Sequence, residues 1–194
     1  MKNIPRLLIW IRLAAAPVIF IASAFQASGV VLVSIAGLAL LTDYFDGVIA
    51  RRLGLDTPEL RHFDSRVDMV FYFAAGIGLF VRFPDLWRDF DVGIIVLLAF
   101  EVGRMLFEWR KFGRPAAYHM WSAKLWGLVM LAGYAEVALT GRGGPLLLAT
   151  IWLGVYTNIE GMIASLIFSE PHHDVPTWLH AWVIQREGRV PRVG

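Results

Sequence analysis

The chain has 194 residues, 57% of them hydrophobic and 18% charged, with a mean hydropathy of +0.58. An average soluble domain is about 45–50% apolar and about 25% charged, so the excess points to a polytopic membrane protein and excludes disordered, collagen-like and disulfide-stapled classes. There is no cysteine, which removes thiol catalysis and cysteine-ligated zinc, and the net charge of +2 is spread between apolar segments rather than gathered into a stripe for nucleic acid.

Six stretches approach the roughly 20 apolar residues that a membrane-spanning helix needs. The first, 7–26, follows Lys2 and Arg6 and ends near Ala22-Ser23-Ala24, which imitates a secretory signal with its cleavage site. Arg12 interrupts the run and five more segments follow, so it reads as a retained helix. The second covers 30–52 and the third 63–82. Thr57, Pro58 and Glu59 read as an N-cap, a first-turn proline and a dipole-compensating acid, so the third helix should begin near Pro58. The fourth, fifth and sixth cover 92–109, 117–139 and 145–168. No linker divides them, and 1–168 reads as one six-helix domain. A polar cytoplasmic tail, 169–194, follows. In it Trp178, Leu179, Trp182 and Val183 suit either a short interfacial helix or a poorly ordered end.

The distribution of Lys and Arg orients the chain. With the N-terminus in the cytoplasm, that side holds Lys2, Arg6, Arg51, Arg52, Arg61, Arg66, Arg110, Lys111, Arg114, Arg186, Arg189 and Arg192, and the other side only Arg82, Arg88 and Arg142. Both termini are therefore expected in the cytoplasm.

Ionisable groups at membrane depth are costly, and each is a functional hypothesis. Asp43, Asp46, Gly47, Ala50 and Arg51 fall at i, i+3, i+4, i+7 and i+8, on one face of the second helix. Asp64 and Asp68 share a face near the start of the third. A short turn should make the two helices antiparallel neighbours whose acidic faces meet near the cytoplasmic boundary. Four carboxylates in low dielectric repel one another unless cations neutralise them. Mg²⁺ suits such oxygen ligands when phosphates complete its shell, and two ions about 3.5–4 Å apart would clamp a displacement at phosphorus. Gly47 would let a bulky ligand approach the backbone, and Arg51 supplies a fork for phosphate. The competing reading pairs the acids with Arg51, Arg52, Arg61 and Arg66 at the membrane surface; it suits Asp56 and Glu59 better than four aspartates in helical register.

At these residues the sequence resembles the CDP-alcohol phosphatidyltransferase family, whose signature is D-x-x-D-G-x-x-A-R, about eight residues, then G-x-x-x-D-x-x-x-D. Asp43, Asp46, Gly47, Ala50, Arg51, Asp64 and Asp68 match in order and spacing, and Leu60 stands in place of the second glycine. The resemblance implies an all-α, multi-pass membrane transferase of phospholipid synthesis, commonly a homodimer, that moves a phosphatidyl group from CDP-diacylglycerol to a small alcohol with release of CMP. It implies that Asp43, Asp46, Asp64 and Asp68 hold divalent ions, Mg²⁺ or Mn²⁺ and two in number. Asp68 would also be the base for the acceptor hydroxyl, and Gly47, Ala50 and Arg51 would contact the CDP. The diacyl chains would stay in lipid while the active site faces the cytoplasm. Leu60 could crowd the nucleotide, which raises an inactive scaffold as an alternative. A divalent-cation transporter would also need intramembrane acids, but distributed along a path through the bilayer.

Asn3-Ile4-Pro5, Leu8 and Arg12 resemble the N-I-P-N-x-L-T-x-x-R opening of phosphatidylglycerophosphate synthase-like members, with Arg6 and Ile9 as departures. Of the G-K-x-K-T stretch in the fifth helix of those members, Lys124 survives, with Trp126 at the second lysine. Glycerol 3-phosphate is thus the expected acceptor, with inositol phosphate, inositol or serine as alternatives. Arg104, Lys124, Arg110 and Arg114 could bind an acceptor phosphate; Arg104 could equally pair with Glu101 and Glu108 at helical spacing. Glu136 and Glu160 suit helix–helix hydrogen bonds or a cavity lining, His119 a helix end, and His172, His173 and Asp174 a surface loop between Pro171 and Pro176. Trp87, Trp109, Trp121 and Trp178 lie near span ends, as interfacial anchors do.

Overall fold

The computed structural model describes residues 4–55, 57–116, 118–170, 172 and 174–187, apart from the side chains of residues 58, 61 and 62. Lys2, Asn3, Asp56, Pro171, His173, Arg189 and Arg192, and the side chain of Arg61, lie outside the described residues. Among those described there are seven α-helices and no strand: α1 Ile4–Ala24, α2 Gly29–Arg52, α3 Pro58–Arg82, α4 Asp85–Phe112, α5 Trp121–Thr140, α6 Pro145–Ile167 and α7 Trp178–Glu187. Four of them, α1, α2, α5 and α6, are long and apolar enough to cross a membrane. α3 and α4 are longer still, at 25 and 28 residues, but carry more charge. Many large apolar side chains remain exposed, among them Leu7, Trp10, Val18, Leu38, Phe73, Leu128 and Trp152. Apolar surface of that extent on helices of this length suits lipid contact.

The chain divides into two compact units. The first comprises 1–89 and 134–143. Here α1 packs against both α2 and α3, while α2 and α3 make no comparable contact with each other. The expected α2–α3 pairing is thus replaced by a wedge. Small residues let the backbones approach, as in membrane helix pairs. Ala16 and Ser23 of α1, Ala36 and Ala39 of α2 and Ala75 of α3 are buried. A Cβ at Gly78 would lie 2.9 Å from Ser23 Oγ. Ser28 caps α2 and Thr57 caps α3, its hydroxyl accepting from Leu60 N–H at 3.3 Å. Between them Gly54, at φ +64°, turns the chain, and the Ala50 carbonyl accepts from Leu55 N–H.

The second unit comprises 90–133 and 144–194. Trp126 Nε1 donates to the Thr150 carbonyl at 2.8 Å, and Gly154 sits where a side chain would strike Leu97 and Trp126. α7 packs on the end of α6: Ala181 and Ile184 join Tyr118, Met120, Ala164, Phe168 and Val175 in a buried cluster. Trp178, Leu179 and Trp182 remain exposed on its other side. The fifth helix starts at Trp121 rather than near 117. Tyr118 and Met120 instead belong to a non-helical segment, and His119 has φ +52°, which a helix does not accommodate.

Candidate active site

Asp43 and Asp46 stand in the last turns of α2, and Asp64 and Asp68 in the first turns of α3. All four reach one side chain, Arg12, which enters from α1, the helix wedged between them. Arg12 Nη1 lies 3.1 Å from Asp43 Oδ1 and 2.8 Å from Asp64 Oδ1, and also donates to Asp68 Oδ1; Nη2 donates to Asp46 Oδ2. Arg12 and Asp46 are almost fully enclosed, at 2% and 3% exposure. The side chains of Asp43, Asp64 and Asp68 are 33%, 28% and 23% exposed, so the group opens on their side.

The electrostatics are unbalanced. Four carboxylates make six repulsive pairs with one another and four attractive pairs with the guanidinium. At an effective dielectric constant near 20, each pair at 4 Å is worth about 4 kcal/mol. Among the described residues no backbone amide or hydroxyl donates to any of the four acids. Further positive charge is therefore favoured here. Asp43, Asp64 and Asp68 present ligand oxygens within 4.8 Å of one another, which fits a hard divalent cation. Asp46 falls outside that trio and meets the other guanidinium nitrogen.

Around the acids, Ala50 is buried, and the exposed Arg51 folds back along α2 over Gly47, where a Cβ would stand 3.3 Å from its Nη1. Leu60 lines a shallow recess of about 250 Å³ with Arg6, Trp10, Glu59 and Phe63, in which the Trp10 and Phe63 rings lie 5.4 Å apart. None of the four aspartates lines it. Among the described residues the acids pair with none of Arg51, Arg52 and Arg66, the arginines of the competing reading, but with an arginine on a different helix. A lone arginine inside an apolar segment is the signal that announces it, because such a cation needs a counter-charge.

The cations considered for an acceptor phosphate belong to the second unit. Arg104 is engaged: its Nε donates to Asn158 Oδ1 at 2.8 Å, and it pairs with Glu108 at 3.3 Å and Glu101 at 3.5 Å. Gly161 makes room for it, since a Cβ there would lie 3.0 Å from its Cδ. Lys124 is exposed, with its ammonium 5.5 Å from the Trp121 ring centroid. Arg110 and Arg114 are exposed as well. Glu160 is buried, accepting from Ser122 Oγ and from Trp178 N–H, and His172 stacks on Phe168 at 4.0 Å.

Helices suited to a membrane, together with an oxygen-rich site fit for a divalent cation, are the features of a membrane protein that uses such an ion. The model of the CDP-alcohol phosphatidyltransferase family matches residues 2–164, and the chain belongs to that family. It is a transferase of substituted phosphate groups, and the family uses a CDP-alcohol donor, an alcohol acceptor and, generally, divalent metals. Neither the comparison with curated proteins nor that with solved structures finds a match.

Proposed function

We propose that the protein transfers a phosphatidyl group from CDP-diacylglycerol to a phosphorylated polyol such as glycerol 3-phosphate, releasing CMP. The observation that carries this reading is the convergence of Asp43, Asp46, Asp64 and Asp68 on a single guanidinium, the four aspartates by which the sequence resembles the family signature. The acceptor oxygen forms a bond to the phosphorus that carries the diacylglycerol, the bond from that phosphorus to the CMP oxygen breaks, and the acceptor proton passes to Asp68. Asp68 suits this role because its carboxylate is partly open to the outside, where an acceptor can come within hydrogen-bond reach. The four aspartates would hold Mg²⁺ or Mn²⁺, two ions in this reading. When bound, these supply positive charge that neutralises the diphosphate and stabilises the departing CMP. Gly47, Ala50 and Arg51 would contact the CDP: the small residues let it approach α2, and the exposed Arg51 offers its fork to phosphate.

The same reading has six spans with both termini and the active site on the cytoplasmic side, supported by the bias of Lys and Arg. α3 and α4 join the four more apolar helices as spans. The diacyl chains remain in lipid, and the working form is a homodimer, as the family resemblance implies. Arg110, Arg114 and Lys124 are the candidates for an acceptor phosphate; Arg104 is a weaker one, because two acids already hold it.

The test is release of CMP from CDP-diacylglycerol by purified protein with Mg²⁺ or Mn²⁺, offered glycerol 3-phosphate, inositol phosphate, inositol or serine. Release with glycerol 3-phosphate alone supports the full proposal, release with another acceptor replaces that part of it, and none from folded, metal-binding protein favours the scaffold.

A further inference from the structure

Arg12 is an unusual neighbour for a divalent-ion site. Its Nη1 meets Oδ1 of Asp43, Asp64 and Asp68, the same three acids whose ligand atoms lie within 4.8 Å of one another. An ion that took these Oδ1 atoms as ligands, at about 2.0–2.1 Å for Mg²⁺, would stand where that nitrogen stands. We infer that Arg12 is a built-in occupant of the ion seat, partly compensating the aspartates and withdrawing from them when a divalent ion enters. The inference rests on the ion-holding part of the proposed function.

Two further observations support an exchange rather than a permanent bond. Arg12 Nε is buried with no hydrogen-bond partner among the described residues, so this seat leaves one of its donors unsatisfied. The charges also favour replacement: one guanidinium leaves three of four ionised carboxylates uncompensated, whereas two divalent ions compensate all four. Arg12 therefore does two opposing things. It holds α1, α2 and α3 together by bridging acids from both neighbours, and it weakens the apparent affinity for the ion, because each ion must first displace it.

These two roles separate experimentally. Free Mn²⁺ would be measured by electron paramagnetic resonance during titration of the purified full chain, and thermal stability recorded with and without Mn²⁺, for the natural protein, Arg12→Gln and Arg12→Lys. The expected result is at least tenfold tighter Mn²⁺ binding by Arg12→Gln, together with a lower melting temperature in chelator and a larger rise on adding Mn²⁺. Arg12→Lys should bind Mn²⁺ several-fold tighter than the natural protein, since a compact ammonium cannot bridge Asp46 and the other three acids as the fork does. A purely structural arginine would lower the melting temperature without tightening Mn²⁺ binding. Equal or weaker binding by Arg12→Gln, or by Arg12→Lys if the glutamine variant does not fold, overturns the inference while leaving the ion site in place. Absence of Mn²⁺ binding by the natural protein removes the ion site, and the inference with it.

Discussion

Two clusters of acids around a buried or half-buried arginine invite comparison. In the first unit, four aspartates face Arg12 and take hydrogen bonds from nothing else among the described residues. In the second, Glu101 and Glu108 face Arg104, but neutral donors complete the set. Glu108, 1% exposed, also accepts from Ser165 Oγ at 2.9 Å and Ala116 N–H at 2.9 Å, and Ser165 is joined to the Tyr118 hydroxyl at 2.8 Å. Glu101 accepts from Asn158 Nδ2 at 2.8 Å. At Glu108 the second cluster uses its buried carboxylate to hold α4, α6 and the segment before α5 together. The first keeps uncompensated charge and an open side. Saturated networks rigidify a fold, whereas unsaturated ones are poised for a ligand.

Substitutions should separate the two. Asp68→Asn is expected to lower CMP release by about a thousandfold or more, while the melting temperature in chelator stays level or rises, because one repulsive charge is gone. Retained activity would remove Asp68 as the base. Glu108→Ala should do the reverse. It leaves Arg104 Nη1, Ser165 Oγ and the Ala116 amide without the acceptor they share and should cost about 2–3 kcal/mol of stability, seen as a lower melting temperature with turnover per folded molecule unchanged. A Glu108 variant that stays stable but loses turnover would transfer that cluster to the function. Arg51→Ala should raise the KM for CDP-diacylglycerol by about tenfold with a smaller change in kcat; an unchanged KM removes it from the donor site. The smallest effect is expected from Leu60→Gly. Leu60 shares its recess with Trp10 and Phe63 rather than with the aspartates, so turnover should change by less than about threefold, and a large gain would show that leucine crowds the nucleotide.

Helix positions were legible where apolar runs and caps coincide: 30–52 against Gly29–Arg52, 145–168 against Pro145–Ile167, and a third helix starting at Pro58. The fourth helix is longer than its apolar run, reaching from Asp85 to Phe112. Asp85 in its first turn and Arg110 and Lys111 in its last complement the helix dipole but dilute the hydropathy. Register puts Asp43 with Asp46 and Asp64 with Asp68 on one face of each helix, whereas the two pairs meet through α1 rather than through the expected α2–α3 contact. Arg12 at their centre was not legible, because its partners lie 31 to 56 positions away in the chain, beyond any local periodicity. For Arg104 the sequence supports an acceptor contact and pairing with Glu101 and Glu108 equally, since its hydrogen bond to Asn158 lies 54 positions on, outside local periodicity. Tyr118 and Met120 look like the start of a span, yet they pack against α7, a tertiary choice that an apolar run does not encode.

In the proposed function the unsaturated aspartate cluster performs metal-dependent phosphatidyl transfer. The most direct measurement is CMP release from CDP-diacylglycerol and glycerol 3-phosphate as free Mg²⁺ or Mn²⁺ is titrated up from chelator, with Asp64→Asn alongside. No turnover is expected in chelator, saturable recovery with the ion, and little or none in the variant. Turnover that survives chelation, or that Asp64→Asn leaves intact, would contradict that function.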